Sequence, residues 1–199
     1  MALVLSVAGP AAAQSKFGEW DVIFMPHLGA NYSHMSSNEN KWKLGVMGGV
    51  ALQMYFTPRF FAEVDVNYAH TGSSKQYQYS DAGKSGPYDY RLDYLNTDYT
   101  LHYYPLRNFS LYSGIHLGTL INAKSELNGQ SVDIKDELHT GHASIPLGAS
   151  VDVGPVTIDA RFYWPINTLP DSKKAKSILG KNAREMAVLL SVGYKIKVL

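Results

Sequence analysis

Apolar and polar residues alternate along most of this chain with a period of two. In the last stretch, residues 186–198, every second residue is apolar or aromatic, and the residues between them are mostly polar or small. A period of two is typical of a β-strand whose two faces differ. The same alternation recurs in eight runs, which cover 21–34, 44–57, 59–71, 91–104, 109–122, 140–153, 155–165 and 184–198. The pattern therefore predicts an all-β protein of eight strands.

The connections between these runs alternate between short and long. Each short connection contains a proline, which fixes φ and favours a tight turn; they lie at 57–59, 105–108 and 154–155. The long connections are polar and cover 35–43, 71–90, 124–139 and 167–182. In an up-and-down meander, this order puts all short turns at one end and all long loops at the other, which is typical of outer-membrane barrels.

Two environments could accept the apolar faces: the interior of a soluble barrel or the lipid of a membrane. The polar faces are rich in Gly, Ala and Ser, as a narrow interior requires, whereas faces toward solvent would carry more Lys and Glu. Aromatic residues gather near the run ends, like the two girdles of a membrane barrel: Trp20, Phe56, Phe60, Tyr103, Tyr104 and Phe109 toward the short turns, and Trp42, Tyr68, Tyr90 and Trp164 toward the long loops. We predict an eight-stranded antiparallel up-and-down transmembrane β-barrel, with a soluble lipid-binding barrel as the alternative.

The composition restricts the function classes. The chain has 199 residues and a formal net charge of +1, so no nucleic-acid partner is expected. It contains no Cys, which excludes disulfide bonds, thiolate metal sites and a cysteine nucleophile. It also lacks a glycine motif that cradles phosphate, and we expect no cofactor.

The first residues of the chain differ from the rest. Residues 2–8 are apolar but too few to span a bilayer as a helix, and three alanines at 11–13 form a small-residue cleavage pattern. We predict a signal peptide over 1–13, truncated at its start because a basic leading region is missing. The barrel domain is expected over 14–199, and an ordinary buried N-terminal segment is the alternative to the signal peptide.

Four segments carry a resemblance to a known family. They are RLDYLNTDYTLHYYP, NFSLYSGIHLGTLINAK, VTIDARFYWPINTL and LLSVGYKI, which begin at Arg91, Asn108, Val156 and Leu189. The chain resembles the PorT-like, or porin-family, outer-membrane β-barrel proteins of Gram-negative bacteria, in which such segments form the fourth, fifth, seventh and eighth strands. The resemblance implies a fold and a location in the outer membrane rather than an activity, and the word porin in the label does not establish a pore.

Charged side chains fall on the face that we assign to the lumen, where they need partners. We expect a polar network that fills the barrel, with a proton or ion path as the alternative; its members are Glu63, Asp65, Asp98, His102, Asp159, Arg161 and Lys195, and Asp152, Glu185, His27 and His116 share the same face. The end of the chain also fits a barrel-assembly signal, composed of Ser191, Gly193, Ile196 and Val198. Leu199 departs from it, because many such proteins end on an aromatic residue.

Two further motifs carry weaker chemical hypotheses. His142-Ala143-Ser144 is similar to the His-x-Ser of lipid A deacylases, with Asp152 or Asp159 available to orient the base. The alternation places both side chains in the lumen, whereas that chemistry must reach an acyl chain. The loop around His139 offers further candidates for a metal site, namely His142, Asp133, Asp136 and Glu137, but their spacing is loose and a solvated loop is the better interpretation.

We predict a non-enzymatic outer-membrane protein with both termini in the periplasm. Its role would be surface interaction or envelope support through long extracellular loops, of which 71–90 has the Tyr, Ser and Gly mixture of a binding surface. Expected partners are outer-membrane lipid, lipopolysaccharide and the barrel-assembly machinery, while an extracellular partner stays unknown. The alternatives are a small pore, a lipid A-modifying hydrolase and a soluble lipid-binding barrel.

Overall fold

A computed structural model describes residues 17–35, 40–75, 88–127, 130–133, 135, 139–168 and 184–199. These residues form ten strands: β1 (Val22–Met35), β2 (Asn40–Thr57), β3 (Phe60–Lys75), β4 (Tyr88–Leu106), β5 (Phe109–Leu127), β6 (Gln130–Asp133), β7 (Gly141–Val153), β8 (Val156–Pro165), β9 (Glu185–Tyr194) and β10 (Ile196–Lys197). The expected signal peptide, 1–13, and the centres of the long loops lie outside this description. Among the described residues, no helix is long and apolar enough to cross a membrane.

The strands close into a barrel with eight antiparallel strands around its wall. Strands β1 to β5 pair in chain order, β5 pairs with β7, and β7, β8 and β9 continue the sequence. The barrel closes because β1 pairs with both β9 and β10, which together form the eighth strand of the barrel, interrupted at Lys195. The short β6 pairs with β5 beyond the end of β7. The predicted up-and-down barrel is therefore confirmed.

The alternation of residues along each strand corresponds to the two sides of the barrel wall. In β8, Ile158, Ala160 and Trp164 are exposed on the outside, whereas Asp159 and Arg161 are buried inside. The same division holds along β3, where Val64 and Val66 point outward on either side of the buried Asp65. An outer surface of large apolar side chains suits lipid, since a soluble barrel would bury such residues.

Tight turns join the strands at one end, as predicted, although Pro105 lies within β4 and not in the turn. Strands β7 and β8 are separated by only Gly154 and Pro155, and Gly154 has a φ of +67°. Proline holds φ negative at the second position, so the pair fits a type II′ hairpin turn, which favours glycine at the first position. Strands β2 and β3 are likewise joined by residues 58–59, and β4 and β5 by 107–108.

The strands extend further at the long-loop end than the sequence pattern predicted. β3 and β4 run on to Lys75 and Tyr88, and β5 continues to Leu127, where it pairs with β6. A bulge interrupts the alternation in β5: Asp93 of β4 pairs with Asn122 and Tyr94 pairs with Leu120, so Ile121 has no opposite residue. Beyond the bulge, the inward parity of β5 changes from even to odd residue numbers.

One aromatic residue was wrongly assigned to the outer girdle. Tyr104 is fully buried inside the barrel, because it has the inward parity of His102 rather than the outward parity of Tyr103. Trp20 and Trp164 are exposed, and Phe60 stacks on Tyr103 outside the wall with ring centroids 4.7 Å apart. The side chain of Tyr90 lies outside the described residues.

Candidate functional site in the barrel lumen

The centre of the lumen is a cluster of charged residues around Arg161. Its guanidinium lies 3.4 Å from Glu63 and 3.3 Å from Asp65, measured between the nearest nitrogen and oxygen atoms. It also lies 3.5 Å from an Asp159 oxygen and donates a hydrogen bond to Asp98. Four carboxylates on β3, β4 and β8 thus converge on one cation. Attraction to Arg161 offsets the repulsion between Asp65 and Asp98, which lie directly opposite each other on paired strands.

Two tyrosine hydroxyls bind the same cluster. Tyr112 accepts a hydrogen bond of 2.8 Å from Arg161 Nε and donates to Asp159, while its ring lies under the guanidinium at 5.1 Å. Tyr163 donates to Asp98 across 2.8 Å. Gly148 provides the space for the Tyr112 ring, since a Cβ at residue 148 would lie 2.1 Å from the ring carbon Cζ. The small residues on the inward face thus allow large rings to cross the lumen.

Histidines and amides surround the four carboxylates. His27 Nε2 lies 3.0 Å from Asp65, and His116 Nδ1 donates to Asp98. Glu63 accepts a 2.7 Å hydrogen bond from Gln53, with His102 at 3.8 Å. Since four carboxylates face one guanidinium, these contacts offset part of the excess negative charge of the buried cluster.

Aromatic rings and a second ion pair fill the lumen toward the short turns. Lys195 Nζ donates to both oxygens of Asp152, at 2.9 and 2.7 Å, and to the Tyr104 hydroxyl at 2.9 Å. Asp152 also accepts a hydrogen bond of 2.7 Å from Thr157. A buried cluster of Ile23, Tyr55, Phe61 and Tyr104 surrounds this pair, and Phe17 packs against it. These contacts form an aromatic plug at the end of the barrel.

The half of the lumen toward the long loops contains a cavity of about 40 Å³. His142 forms part of its wall, lies 3.0 Å from His116 between their Nε2 atoms, and meets the Tyr94 ring edge-on. Glu185, at the start of β9, accepts a hydrogen bond from Thr71 at the same level. This half therefore keeps space, whereas rings fill the opposite end.

All seven side chains expected in the lumen network are buried inside the barrel. The four carboxylates contact Arg161, and His102 lies next to Glu63. The seventh, Lys195, belongs to the aromatic plug. Of the expected assembly signal, Ser191 and Gly193 face the lumen, whereas Ile196 and Val198 are exposed outside. These positions leave the recognition role of that segment as a prediction.

The residues of the weaker chemical hypotheses do not assemble into a site facing lipid. His142 and Ser144 both line the inner cavity, and Ser144 is buried. Asp159 binds Tyr112 and Arg161, while Asp152 binds Lys195. Within the described ranges, no three His, Asp or Glu side chains come together as a group that could hold a metal ion. Asp136 and Glu137 lie outside these ranges.

Sequence reasoning missed several contacts that define the lumen. Tyr112 was not singled out, although its even number in β5 gives it the inward parity of His116. The predicted loop over 124–139 instead contains the β5–β6 hairpin. The residues between Leu127 and Gln130 are Asn and Gly, the strongest short sequence signal for a two-residue hairpin. No local signal reveals the contact between His116 and His142, since it depends on the pairing of β5 with β7.

Comparisons with known proteins agree with this architecture. No curated protein matches the chain. Among solved structures, Ail, the attachment invasion locus protein of Yersinia pestis, is 16% identical with a TM-score of 0.53 over 89% of this chain and 99% of its own. Neisserial surface protein A is also 16% identical, with a TM-score of 0.54 over 87% of this chain and 97% of its own. At such identities these likenesses show the fold alone.

A family model described as outer membrane protein beta-barrel domain matches residues 12–170. The match covers most of the chain and includes the strands that carry the Arg161 cluster. The lipid-facing outer wall and the closed barrel are consistent with that description. The chain therefore belongs to the outer membrane protein beta-barrel domain family, and its location is the outer membrane.

Proposed function

We propose that this protein is a non-enzymatic outer-membrane barrel that acts in surface interaction or envelope structure through its long extracellular loops. The observation that carries the proposal is the lumen, which interlocked side chains cross at two levels. Arg161 and its carboxylates span the middle, and the aromatic plug around Lys195 fills the short-turn end. A barrel of eight strands leaves little interior beyond what side chains fill.

The filled lumen argues against a general pore. A sugar or nucleotide would have to displace Arg161 from four carboxylates, and breaking a buried ion pair costs about 3–5 kcal/mol. The hydrolase alternative also lacks support, because Ser144 is buried inside the barrel while its acyl substrate would lie outside. With interior transport and surface hydrolysis disfavoured, the loops are the better candidates for function.

The long-loop end has strands that support such a role. The backbones of β3 and β4 remain paired out to Lys75 and Tyr88, the last described residues before the connection between these strands. Loops positioned by a rigid scaffold are common sites of binding. We further propose that the chain is PorT-like within its family, that residues 1–13 direct export, and that the partners include lipopolysaccharide and the barrel-assembly machinery.

Conductance separates the surface role from the pore. Purified protein in planar bilayers should show no large, steady channels, with a wide porin prepared in the same detergent as the positive control. Stable porin-sized currents that vanish when the protein is heat-denatured would refute the proposal. Gel mobility before and after boiling verifies that the inserted protein is folded.

A loop exchange tests the surface role directly. Lys75 and Tyr88 are paired opposite each other, so Asn-Gly can replace residues 76–87 as a two-residue turn. The exchanged protein should fold and reach the outer membrane, while cells that carry it lose the surface or envelope phenotype of the wild type. The matched control replaces 128–129, already Asn-Gly in the sequence, with Asp-Gly. A phenotype that survives the loop exchange would exclude this loop from the function.

A further inference from the structure

Several polar atoms around the cavity on the long-loop side accept no hydrogen bond from any residue that the structure describes. Two belong to amides, Asn31 Oδ1 and Asn96 Oδ1, in side chains that are only 4% and 6% exposed. The others are Glu185 Oε2, His142 Nδ1 and the hydroxyl oxygen of Tyr94. All five residues line the same cavity of about 40 Å³. Buried polar atoms normally have partners, so this concentration points to a ligand.

A chain of hydrogen-bonded amides determines that the unpaired atom of Asn96 is its oxygen. Asp65 can only accept, so Asn67 directs its NH₂ group toward that carboxylate, across 3.3 Å. The Asn67 oxygen then accepts a 3.1 Å hydrogen bond from Asn96 Nδ2. The remaining polar atom of Asn96, its Oδ1, is therefore an acceptor. Because the series starts at a carboxylate, reversing any amide would place an oxygen against an oxygen.

A second chain, of imidazoles, leads from Asp98 to the same cavity. His116 Nδ1 donates to Asp98, so in a neutral His116 the Nε2 atom carries a lone pair. That lone pair accepts a hydrogen bond from the Nε2–H group of His142, across 3.0 Å. The other ring nitrogen of a neutral His142, Nδ1, is then an acceptor. Asn31 Oδ1, Asn96 Oδ1 and Glu185 Oε2 are acceptors whichever tautomer these imidazoles adopt.

The other two atoms are acceptors for local reasons. Asn31 uses its Nδ2 group to donate to the His70 carbonyl at 3.1 Å, which leaves Oδ1 over. Glu185 uses Oε1 to accept from Thr71, which leaves Oε2, with the Tyr94 hydroxyl as a neighbour. Among the described residues, the unpaired atoms on this cavity wall are thus four acceptors from four different strands, one of them a carboxylate oxygen, and the Tyr94 hydroxyl, which can both donate and accept.

We propose that this cavity binds a small monovalent cation, and that ammonium fits it best. An anion or a neutral acceptor would meet acceptor lone pairs of Asn31, Asn96 and Glu185 and, among the described residues, only the Tyr94 hydroxyl as a donor, whereas a cation satisfies the acceptors and offsets the charge of Glu185. Ammonium has four N–H donors for the four acceptors. The cavity holds roughly three water-sized groups, enough for ammonium or potassium but too small for tetramethylammonium. This inference goes beyond the proposed surface function and does not depend on it.

The test measures thermal unfolding of the folded barrel in detergent micelles at pH 7, in four chloride salts of equal ionic strength. We expect Tm to rise by a few degrees and to saturate with ammonium, because a ligand that binds only the folded state stabilises it. Tetramethylammonium, which has the same charge and no N–H group, should behave like sodium. Potassium distinguishes recognition by N–H donors from recognition by charge and radius. An equal rise of Tm in potassium and in ammonium would support a cation site selected by charge and radius and would reject the preference for ammonium.

Variants connect the effect to the cavity. Asn96→Leu and Glu185→Gln each remove one acceptor and should abolish the ammonium shift, whereas Ser110→Ala, which changes a buried residue outside the cavity, should retain it. If these variants do not fold, the Asn31 and Asn96 side-chain amide resonances of the wild type decide, since ammonium should move them and tetramethylammonium should not. Identical Tm values in all four salts, or a shift that persists in both acceptor variants, would overturn the proposal.

Discussion

The two ends of the lumen use buried polar groups differently. Toward the short turns, Lys195 and Asp152 bind each other directly, and rings of Tyr55, Phe61 and Tyr104 pack around them. Toward the long loops, Glu185 accepts from a threonine hydroxyl, and acceptors of Asn31 and Asn96 are unpaired among the described residues. The barrel thus has a closed end, in which cation and anion satisfy each other, and an open end, in which several hydrogen-bond acceptors have no partner among the described residues. Arg161 divides the two.

The strongest test of this comparison removes the dividing cation. Arg161→Met leaves four carboxylates without their central partner, so we expect a loss of about 3–5 kcal/mol in the free energy of unfolding. Denaturant unfolding, followed by gel mobility, measures it. Arg107→Met, in an exposed turn, is the matched control and should change stability by less than about 0.5 kcal/mol. Equal stability of the two variants would show that the cluster does not hold the barrel together.

A smaller loss is expected at the closed end. Lys195→Met removes the cation from Asp152, but Tyr104 and Thr157 still donate to that carboxylate, so the cost should be about 1–3 kcal/mol. Lys197→Met, at a half-exposed side chain two residues away, is the control. The same unfolding experiment applies, and a loss at Lys195 as large as that of Arg161→Met would contradict the assignment of Arg161 as the main partner of buried charge.

Overpacking tests the open end. A Cβ at Gly118 would lie 2.0 Å from His142 Cε1, so Gly118→Ala must displace that ring from His116. Since His142 is partly exposed and can move, we expect a loss of about 1–2 kcal/mol, together with altered imidazole resonances. Gly141→Ala is the control, because its nearest atom lies 3.9 Å away. Unchanged His142 resonances in Gly118→Ala would show that the two imidazoles are not held together as described.

The smallest effect concerns a surface pair at the closed end. Lys197 Nζ donates to Asp21 at 2.8 Å, and this bond, followed by one from the Gly18 amide, holds the pKa of Asp21 below its ordinary value. The contribution of the pair to stability is present above the ordinary carboxyl pKa and is lost as pH falls through the lowered value. In Lys197→Gln, a carboxyl NMR titration should show the Asp21 pKa moving upward. Lys124→Gln, remote from Asp21, should leave it in place.

The alternation of residues predicted the strands and which side of the wall most of them face, because a period of two relates directly to inside and outside. It failed where the period shifts: the bulge at Ile121 moves the inward parity by one residue, and no local residue pattern marks it. Tyr104 shows a second limit, since an aromatic near a strand end suits either a girdle or a plug. The contacts within the lumen required the strand pairing itself.

The β5–β6 hairpin also determines how deeply the barrel lies in the bilayer. Among the described residues, β6 pairs with β5 alone, so its other edge has backbone groups that need water, and each such group in lipid would cost several kcal/mol. The hydrocarbon boundary must therefore lie below Lys124. From Leu111 to Ile121 the outward face of β5 spans about 34 Å along the strand, or roughly 26 Å of membrane thickness after a tilt of about 40°. That thickness matches the apolar band of outer-membrane barrels, so the hairpin acts as a stop that prevents the barrel from sinking further into the membrane.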